Sequence, residues 1–305
     1  MSERDKWADW VLARGHSDDV EQRRRKLDDL TPIRQRILDN AGLRPGDVLL
    51  DVGTGDGFIG FGALDRQPNI RVIFSDISPT LVEYCERAAA AVDLDDRTDA
   101  VVAAATDLPI GGSSVDVVTT RSVLIYVDEK QRAFDEFFRV LRAGGRLSMF
   151  EPINNYFPDD PNDFWGLDAT PVRDLVMKLS AHEDSGNQDD SNDPMMNFTE
   201  RDLVLAAERA GFDAVHADLA VDVRRGAWAV DWQRLLNLAP NPNAPTLRES
   251  MERAFTPEER ERFESYLQPL FDSTQGRKRE AFAYVAAAKA AEEVLSERER
   301  SRHGV

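Results

Sequence analysis

The stretch Val48-Leu-Leu-Asp-Val-Gly-Thr-Gly-Asp-Gly-Phe-Ile-Gly60 decides the fold. Asp47–Val52 reads as a short apolar strand that enters a glycine cluster, and Phe58–Leu64 reads as the helix that leaves it. Glycines at a strand-to-helix turn let the backbone approach a ligand closely, and the free N–H groups of the helix N-terminus face the same point. Such a turn fits a nucleotide-like ligand at the carboxyl ends of parallel strands. A P-loop is excluded, because no Gly-Lys-Ser/Thr follows.

The glycine string has two registers. Gly55-x-Gly57-x-x-Gly60 satisfies the dinucleotide pattern, and Asp76 supplies the acidic ribose partner expected about 20 residues on. The second register is acidic-x-Gly-x-Gly-x-Gly, made of Asp51, Gly53, Gly55 and Gly57. It fits the strand better, because the apolar run stops at Val52. A carboxylate at the strand tip also suits a ligand carrying an ammonium and a sulfonium, and is a poor neighbour for a pyrophosphate.

Outward from this turn, strands and helices alternate. Arg71–Ser75, Ala100–Ala104, Val115–Thr119 and Arg146–Phe150 read as further strands. Helices are expected from Ser78-Pro79 and over Asp128–Arg142. The alternation implies an α/β fold with a doubly wound, mostly parallel sheet, helices on both faces and right-handed crossovers. Residues 1–45 read as an N-terminal helical extension, with Thr31-Pro32 opening its second helix and Gly42 and Gly46 ending it. The core spans 46–151, continues over 199–224 with a helix capped by Thr199 and the strand Ala214–Val223, and finishes with a strand in 280–289. Two mainly helical insertions, 152–198 and 225–279, interrupt it, and a charged tail covers 290–305. Within the first insertion, His182–Pro194 is polar enough to read as a mobile loop.

Composition narrows the function. Lys+Arg is 38 against Asp+Glu 56, a net charge of −18, so duplex nucleic acid is not the expected partner. The lone Cys85 excludes an intrachain disulfide, and four separated histidines (His16, His182, His216, His303) form no local zinc motif. No apolar run approaches the roughly 20 residues of a membrane span, and the charged start MSERDKWADW is not a signal peptide. The expectation is a soluble cytoplasmic protein. The 35 Asp against 21 Glu, with 32 Arg against 6 Lys, fit either a high-salt cytoplasm or a GC-rich genome.

The ordered motifs resemble the seven-stranded, Rossmann-like S-adenosylmethionine-dependent methyltransferases of class I, in their small-molecule branch. Asp51-Val-Gly-Thr-Gly-Asp-Gly57 resembles the first motif, and Phe74-Ser-Asp-Ile-Ser-Pro79 the second-strand motif, with Asp76 in the ribose-binding place. Asp107-Leu-Pro109 with Val115-Asp-Val-Val118, and Arg139-Val-Leu-Arg-Ala-Gly-Gly145, resemble the approaches to the fourth and fifth strands. The resemblance implies a seventh-strand hairpin from Ala214–Val223 and Ala281–Ala287. It also implies S-adenosyl-L-methionine as cofactor, held by Asp51, Gly53, Thr54, Gly55, Gly57, Asp76, Ile77, Ala105, Thr106, Asp107 and Arg121. One departure stands out: Ala104 occupies the place of an acidic residue that meets the adenine amine in many relatives.

Candidates for chemistry are Glu151 after the fifth strand, Arg121 after the fourth, and His182 in the polar loop. Each has a plain structural alternative: a hydrogen-bond acceptor, a salt bridge and a solvated side chain. Arg121 could grip the cofactor carboxylate or an anionic substrate. Trp7 and Trp10 could close over the cofactor, and Trp228 and Trp232 could line a substrate pocket with Phe164 and Trp165, or all four could be packing. The insertions point to a small acceptor enclosed by a lid. Thr119-Thr-Arg-Ser-Val lacks the Asn/Asp-Pro-Pro-aromatic signature of base-amine methylation, and one cysteine speaks against arsenite. Two other readings stay open: an NAD-dependent reductase, which the missing Tyr-x-x-x-Lys pair disfavours, and a protein that binds S-adenosylmethionine without chemistry.

Overall fold

A computed structural model describes residues 5–15, 20–186, 193–225 and 230–291. Two helices come first, α1 (Lys6–Gly15) and α2 (Val20–Ala41). The alternating core follows: β1 (Val48–Val52), α3 (Phe58–Arg66), β2 (Arg71–Asp76), α4 (Pro79–Ala90), β3 (Thr98–Val102), β4 (Val115–Arg121), α5 (Lys130–Val140) and β5 (Leu141–Pro152). A small hairpin, β6 (Asp163–Phe164) and β7 (Leu167–Asp168), leads into α6 (Arg173–Gly186). The chain returns to the core with α7 (Glu200–Ala210) and β8 (Ala214–Arg225), leaves it for α8 (Trp232–Leu236), α9 (Leu247–Ala254) and α10 (Pro257–Asp272), and ends on β9 (Arg277–Ala288).

The seven-stranded sheet runs β3-β2-β1-β4-β5-β9-β8. β1 to β5 pair in parallel, and β9 pairs antiparallel with both β5 and β8, so six of the seven strands run in one direction. Phe134 and Phe137 of α5 and Leu203 of α7 pack with Val118, Leu147 and Val285 on one face. Ile37 of α2 and Ile59 and Ala63 of α3 pack with Leu49, Val72 and Val117 on the other. Helices thus cover both faces, as the alternation requires. Reversal of strand order between β2 and β4 about β1 opens a crevice at the carboxyl ends, directly above the glycine turn.

Local chemistry explains the helix starts. Ser78 Oγ accepts from the Leu81 N–H at 3.1 Å, with Pro79 at the first helical position of α4. At α7 the Asp202 carboxylate accepts from the Thr199 N–H at 2.8 Å and the Thr199 hydroxyl at 2.7 Å.

Two expectations are corrected. Thr31-Pro32 does not open a helix: α2 runs through Pro32, tolerating one lost intrahelical donor. His182 is not in a loop, because α6 extends to Gly186 and only 187–192 of that stretch lie outside the described residues. Packing decides this, since Leu175, Val176 and Leu179 of α6 are buried. The two insertions pack together. Phe164, Leu167 and Leu175 from the first share one hydrophobic core with Trp232, Leu236, Met251, Phe263, Leu267 and Phe271 from the second. They form a single cap. Gly166, at φ +84°, lets the cap turn press on β9: an added Cβ would lie 1.9 Å from the Arg277 carbonyl oxygen. His16, Trp228, His303 and tail residues 292–305 lie outside the described residues.

Candidate active site

The glycine turn is built from left-handed backbone. Gly53, Gly55 and Gly57 have φ of +64°, +57° and +78°, a region costly to residues with a Cβ. At Gly53 an added Cβ would stand 2.2 Å from Val123 Cγ2, so the turn packs directly under the loop that follows β4. The Asp76 carboxylate ties the turn to β2, accepting from the Gly55 N–H at 2.9 Å and the Ser78 N–H at 3.0 Å. Each of its oxygens keeps capacity for another donor. Burial raises the Asp76 pKa, against the pull of these N–H groups.

A cavity of about 1300 Å³ opens above the turn. Of the expected cofactor residues, Gly53, Gly55, Asp76, Ile77, Ala105, Thr106 and Arg121 line it together. Ile77 is 55% exposed, an apolar side chain offered to a flat ligand. Asp51, Thr54 and Gly57 do not line the cavity. Asp51 is 1% exposed and spent on protein: its carboxylate accepts from Thr54 Oγ1 at 2.7 Å, Thr119 Oγ1 at 2.9 Å and the Gly60 N–H at 3.1 Å. It shapes the turn from behind. Burial pushes its carboxyl up to about 6, opposed by those three donors and by the charge of Arg121.

Asp107 is exposed and outside the cavity. Its N–H bonds the Ala104 carbonyl at 3.0 Å, closing a turn that presents Ala104, Ala105 and Thr106 instead. Arg139 and Glu136 clamp that turn from α5. Arg139 donates to the Leu108 and Ile110 carbonyls at 2.8 Å each, and Glu136 accepts from the Leu108 N–H at 2.8 Å.

Glu151 is fully buried and does not reach the cavity. Its carboxylate accepts the N–H groups of Val123, Leu124 and Ile125 at 2.9, 3.0 and 3.1 Å. It therefore holds the loop that presses Val123 onto Gly53. Burial pushes it up to about 7, against these N–H groups and the charge of Lys130. His182 is exposed on α6, away from the cavity. Trp232 and Phe164 belong to the cap core, and Trp165 is exposed, stacked on Phe164.

Trp7 and Trp10, read from the sequence as a cover for the cofactor, meet a partner that no motif marked, Tyr126. Trp7, Trp10 and Tyr126 form a cluster of edge-on rings, with centroids 5.2 to 6.0 Å apart, over the cavity. Asp5 anchors this lid, accepting from Ser78 Oγ at 2.6 Å and the Thr80 N–H at 3.3 Å. Trp10 Nε1 donates to the Ala239 carbonyl at 3.1 Å, joining α1 to the cap. The aromatic pair Trp7/Trp10 was the available signal, but its partners lie more than a hundred residues away. Among the described residues no group of three or more His, Cys, Asp or Glu is placed to hold a metal ion.

Comparison with known proteins places these features. Residues 50–149 match the family model described as a methyltransferase domain. An arsenite methyltransferase of Halobacterium salinarum is 34% identical over 147 residues, 46% of this chain and 37% of the relative. A ubiquinone/menaquinone biosynthesis C-methyltransferase of Cereibacter sphaeroides is 35% identical over 146 residues, 47% of this chain and 58% of the relative. The match thus spans well under two thirds of either relative. A solved structure of geranyl diphosphate methyltransferase with S-adenosylmethionine shares the fold, with TM-score 0.50 and 19% identity over 92% of this chain and 94% of that one. The reductase alternative finds no support among these proteins, and the antiparallel β9 between β5 and β8 departs from an all-parallel dinucleotide sheet. Residues 50–149 are thus similar to a methyltransferase domain, and the seven-stranded sheet has the fold of a solved S-adenosylmethionine-binding methyltransferase.

Proposed function

We propose that this protein transfers the methyl group of S-adenosylmethionine to a small-molecule acceptor. The observation that carries the reading is the convergence of Gly53, Gly55, Asp76, Ile77 and Ala105 on one wall of a cavity whose other walls are α1, α2 and the cap. Its volume of about 1300 Å³ exceeds the roughly 300–1000 Å³ usual for one ligand, which leaves room for an acceptor beside the cofactor. When bound, the cofactor supplies a methyl group already activated on sulfonium. Asp76 offers acceptor oxygens to ribose hydroxyls, the Ala103–Thr106 turn offers backbone to the adenine edge, and Ile77 packs on the ring. The Trp7/Trp10 lid and the cap exclude water and orient the acceptor for in-line displacement.

The curated relatives are named for small acceptors, arsenite and a quinone, which favours the same class here. Arsenite itself fits poorly: the sole cysteine, Cys85, is buried, and burial pushes its thiol up, away from thiolate. No helix among the described residues is long and apolar enough to cross a membrane. A cytoplasmic setting, and one of high salt, accords with the net charge of −18.

Calorimetric titration with S-adenosylmethionine, S-adenosylhomocysteine and NADH tests the cofactor. Micromolar binding of the two sulfur compounds, lost in Asp76→Ala, is expected; binding of NADH alone overturns the reading. Turnover on a metabolite panel separates an enzyme from a protein that only holds the cofactor.

A further inference from the structure

We infer that the acceptor is a planar, largely apolar molecule carrying an anionic oxygen, and that Arg121 pairs with that oxygen. The inference rests on the methyl-transfer reading above and adds the class of acceptor. Arg121 ends β4, is half-buried and lines the cavity. Among the described residues its side chain has no hydrogen-bond or ion-pair partner; its guanidinium stands 5.9 Å from the centre of the Phe58 ring. Arg36, Arg224 and Lys278 line the same cavity and are each paired, with Asp218 at 2.6 Å, Glu280 at 3.5 Å and Glu280 at 2.7 Å. Unlike those three, the Arg121 guanidinium has no carboxylate among the described residues within ion-pair distance, although its charge acts on the buried Asp51. A partly buried guanidinium is costly without a partner, and its planar fork matches a carboxylate or phenolate.

Register shows where that partner would sit. Arg121 lies opposite Phe150 on β5, and Phe150 lies opposite Tyr284 on β9. Paired residues share a sheet face, so a row of Arg121, Phe150 and Tyr284 crosses three strands. Phe282 joins it, with its ring centre 5.0 Å from that of Phe150, and Arg36 lies over the Tyr284 ring at 4.0 Å. The row runs away from β1, β2 and β3, which carry the cofactor wall. A flat ligand on this floor would have its anionic end at Arg121, beside the glycine turn.

The chemistry agrees. Among the described residues no histidine lines the cavity, Glu151 is sealed beneath the loop, and a guanidinium cannot take a proton; carboxylates such as Asp128, Glu129 and Asp222 do line the cavity, so an ionised acceptor follows from Arg121 and not from the lack of a base. An acceptor that arrives ionised needs no base. Its lone pair forms the bond to the methyl carbon while the carbon–sulfur bond breaks and leaves its electron pair on sulfur, so the charges of anion and sulfonium cancel and no proton has to leave.

The test titrates 2-naphthoate and its neutral isostere 2-naphthamide into the wild type, R121Q and R121K, each with and without saturating S-adenosylhomocysteine. The wild type should bind the acid at least 10-fold more tightly than the amide. R121Q should erase that preference, and R121K should keep part of it, as a point charge replacing a fork; melting curves confirm that both variants fold. Equal affinity for acid and amide in the wild type overturns the inference, as does an R121Q variant that keeps the preference. Wild-type titration with S-adenosylhomocysteine reads the methyl-transfer assignment separately: its failure would remove the cofactor while an Arg121-dependent acid preference still located the anion site.

Discussion

Thr119 on β4 donates its hydroxyl to Asp51 on β1 across 2.9 Å, so the acidic residue of the glycine motif is a brace between neighbouring strands. Thr54 and the Gly60 N–H complete the set. Asp51→Ala strands three buried donors, each unsatisfied group costing about 1–3 kcal/mol. The expected loss is about 3 kcal/mol of folding stability, measured by denaturant unfolding, together with weaker cofactor binding. A variant with unchanged stability but lost binding would return Asp51 to the ligand.

Glu151 gives a pH signature. Its folded carboxyl is raised to about 7 from an ordinary 4.5. Between those values the folded state holds more protons than the unfolded, so its contribution is fully present below about 4.5 and is lost as pH rises through 7. In Glu151→Gln this dependence vanishes. The stability difference, wild type minus variant, should fall from pH 4.5 to pH 7.5 in ligand-free protein. A difference that rises with pH would contradict the burial of this carboxyl.

Gly53 has two reasons to be glycine, its φ of +64° and the Val123 methyl 2.2 Å from where a Cβ would stand. Gly53→Ala should reduce S-adenosylhomocysteine affinity at least 100-fold. Adding Val123→Ala should restore only part, since relief of the clash leaves the backbone penalty of about 1–2 kcal/mol. Full recovery in the double variant would mean that the turn tolerates a side chain.

The cap core should melt by itself. Phe263 is fully buried among cap residues from both insertions. Phe263→Ala should cost about 3–5 kcal/mol locally. Hydrogen exchange should quicken in α6, α9 and α10 while amides of β1, β2 and β4 keep their protection. Equal loss in the central strands would show that cap and core unfold as one.

Salt should matter to a chain at net −18. Screening of repulsion predicts a melting temperature several degrees higher in molar KCl than in low salt. A flat melting temperature would assign the Asp- and Arg-rich make-up to genome composition alone.

The core was legible from local sequence. Glycines at 53, 55 and 57 need left-handed backbone, apolar runs such as Val48–Val52 need two covered faces, and the cap of α7 is written in Thr199 and Asp202. These are local requirements, set within a few residues of chain. What side chains do at the site was legible only in part: Asp76, Ile77 and Arg121 line the cavity, whereas Asp51 and Glu151 turn their carboxylates to protein and Asp107 is exposed outside the cavity. The outcome depends on which donors arrive from distant parts of the chain, such as Thr119 for Asp51 and the Val123–Ile125 amides for Glu151, and these meet only on folding. The same holds for the cap. Its two halves are separated in sequence by α7 and β8, and no periodicity within either half reveals that Phe164 and Phe263 share one core.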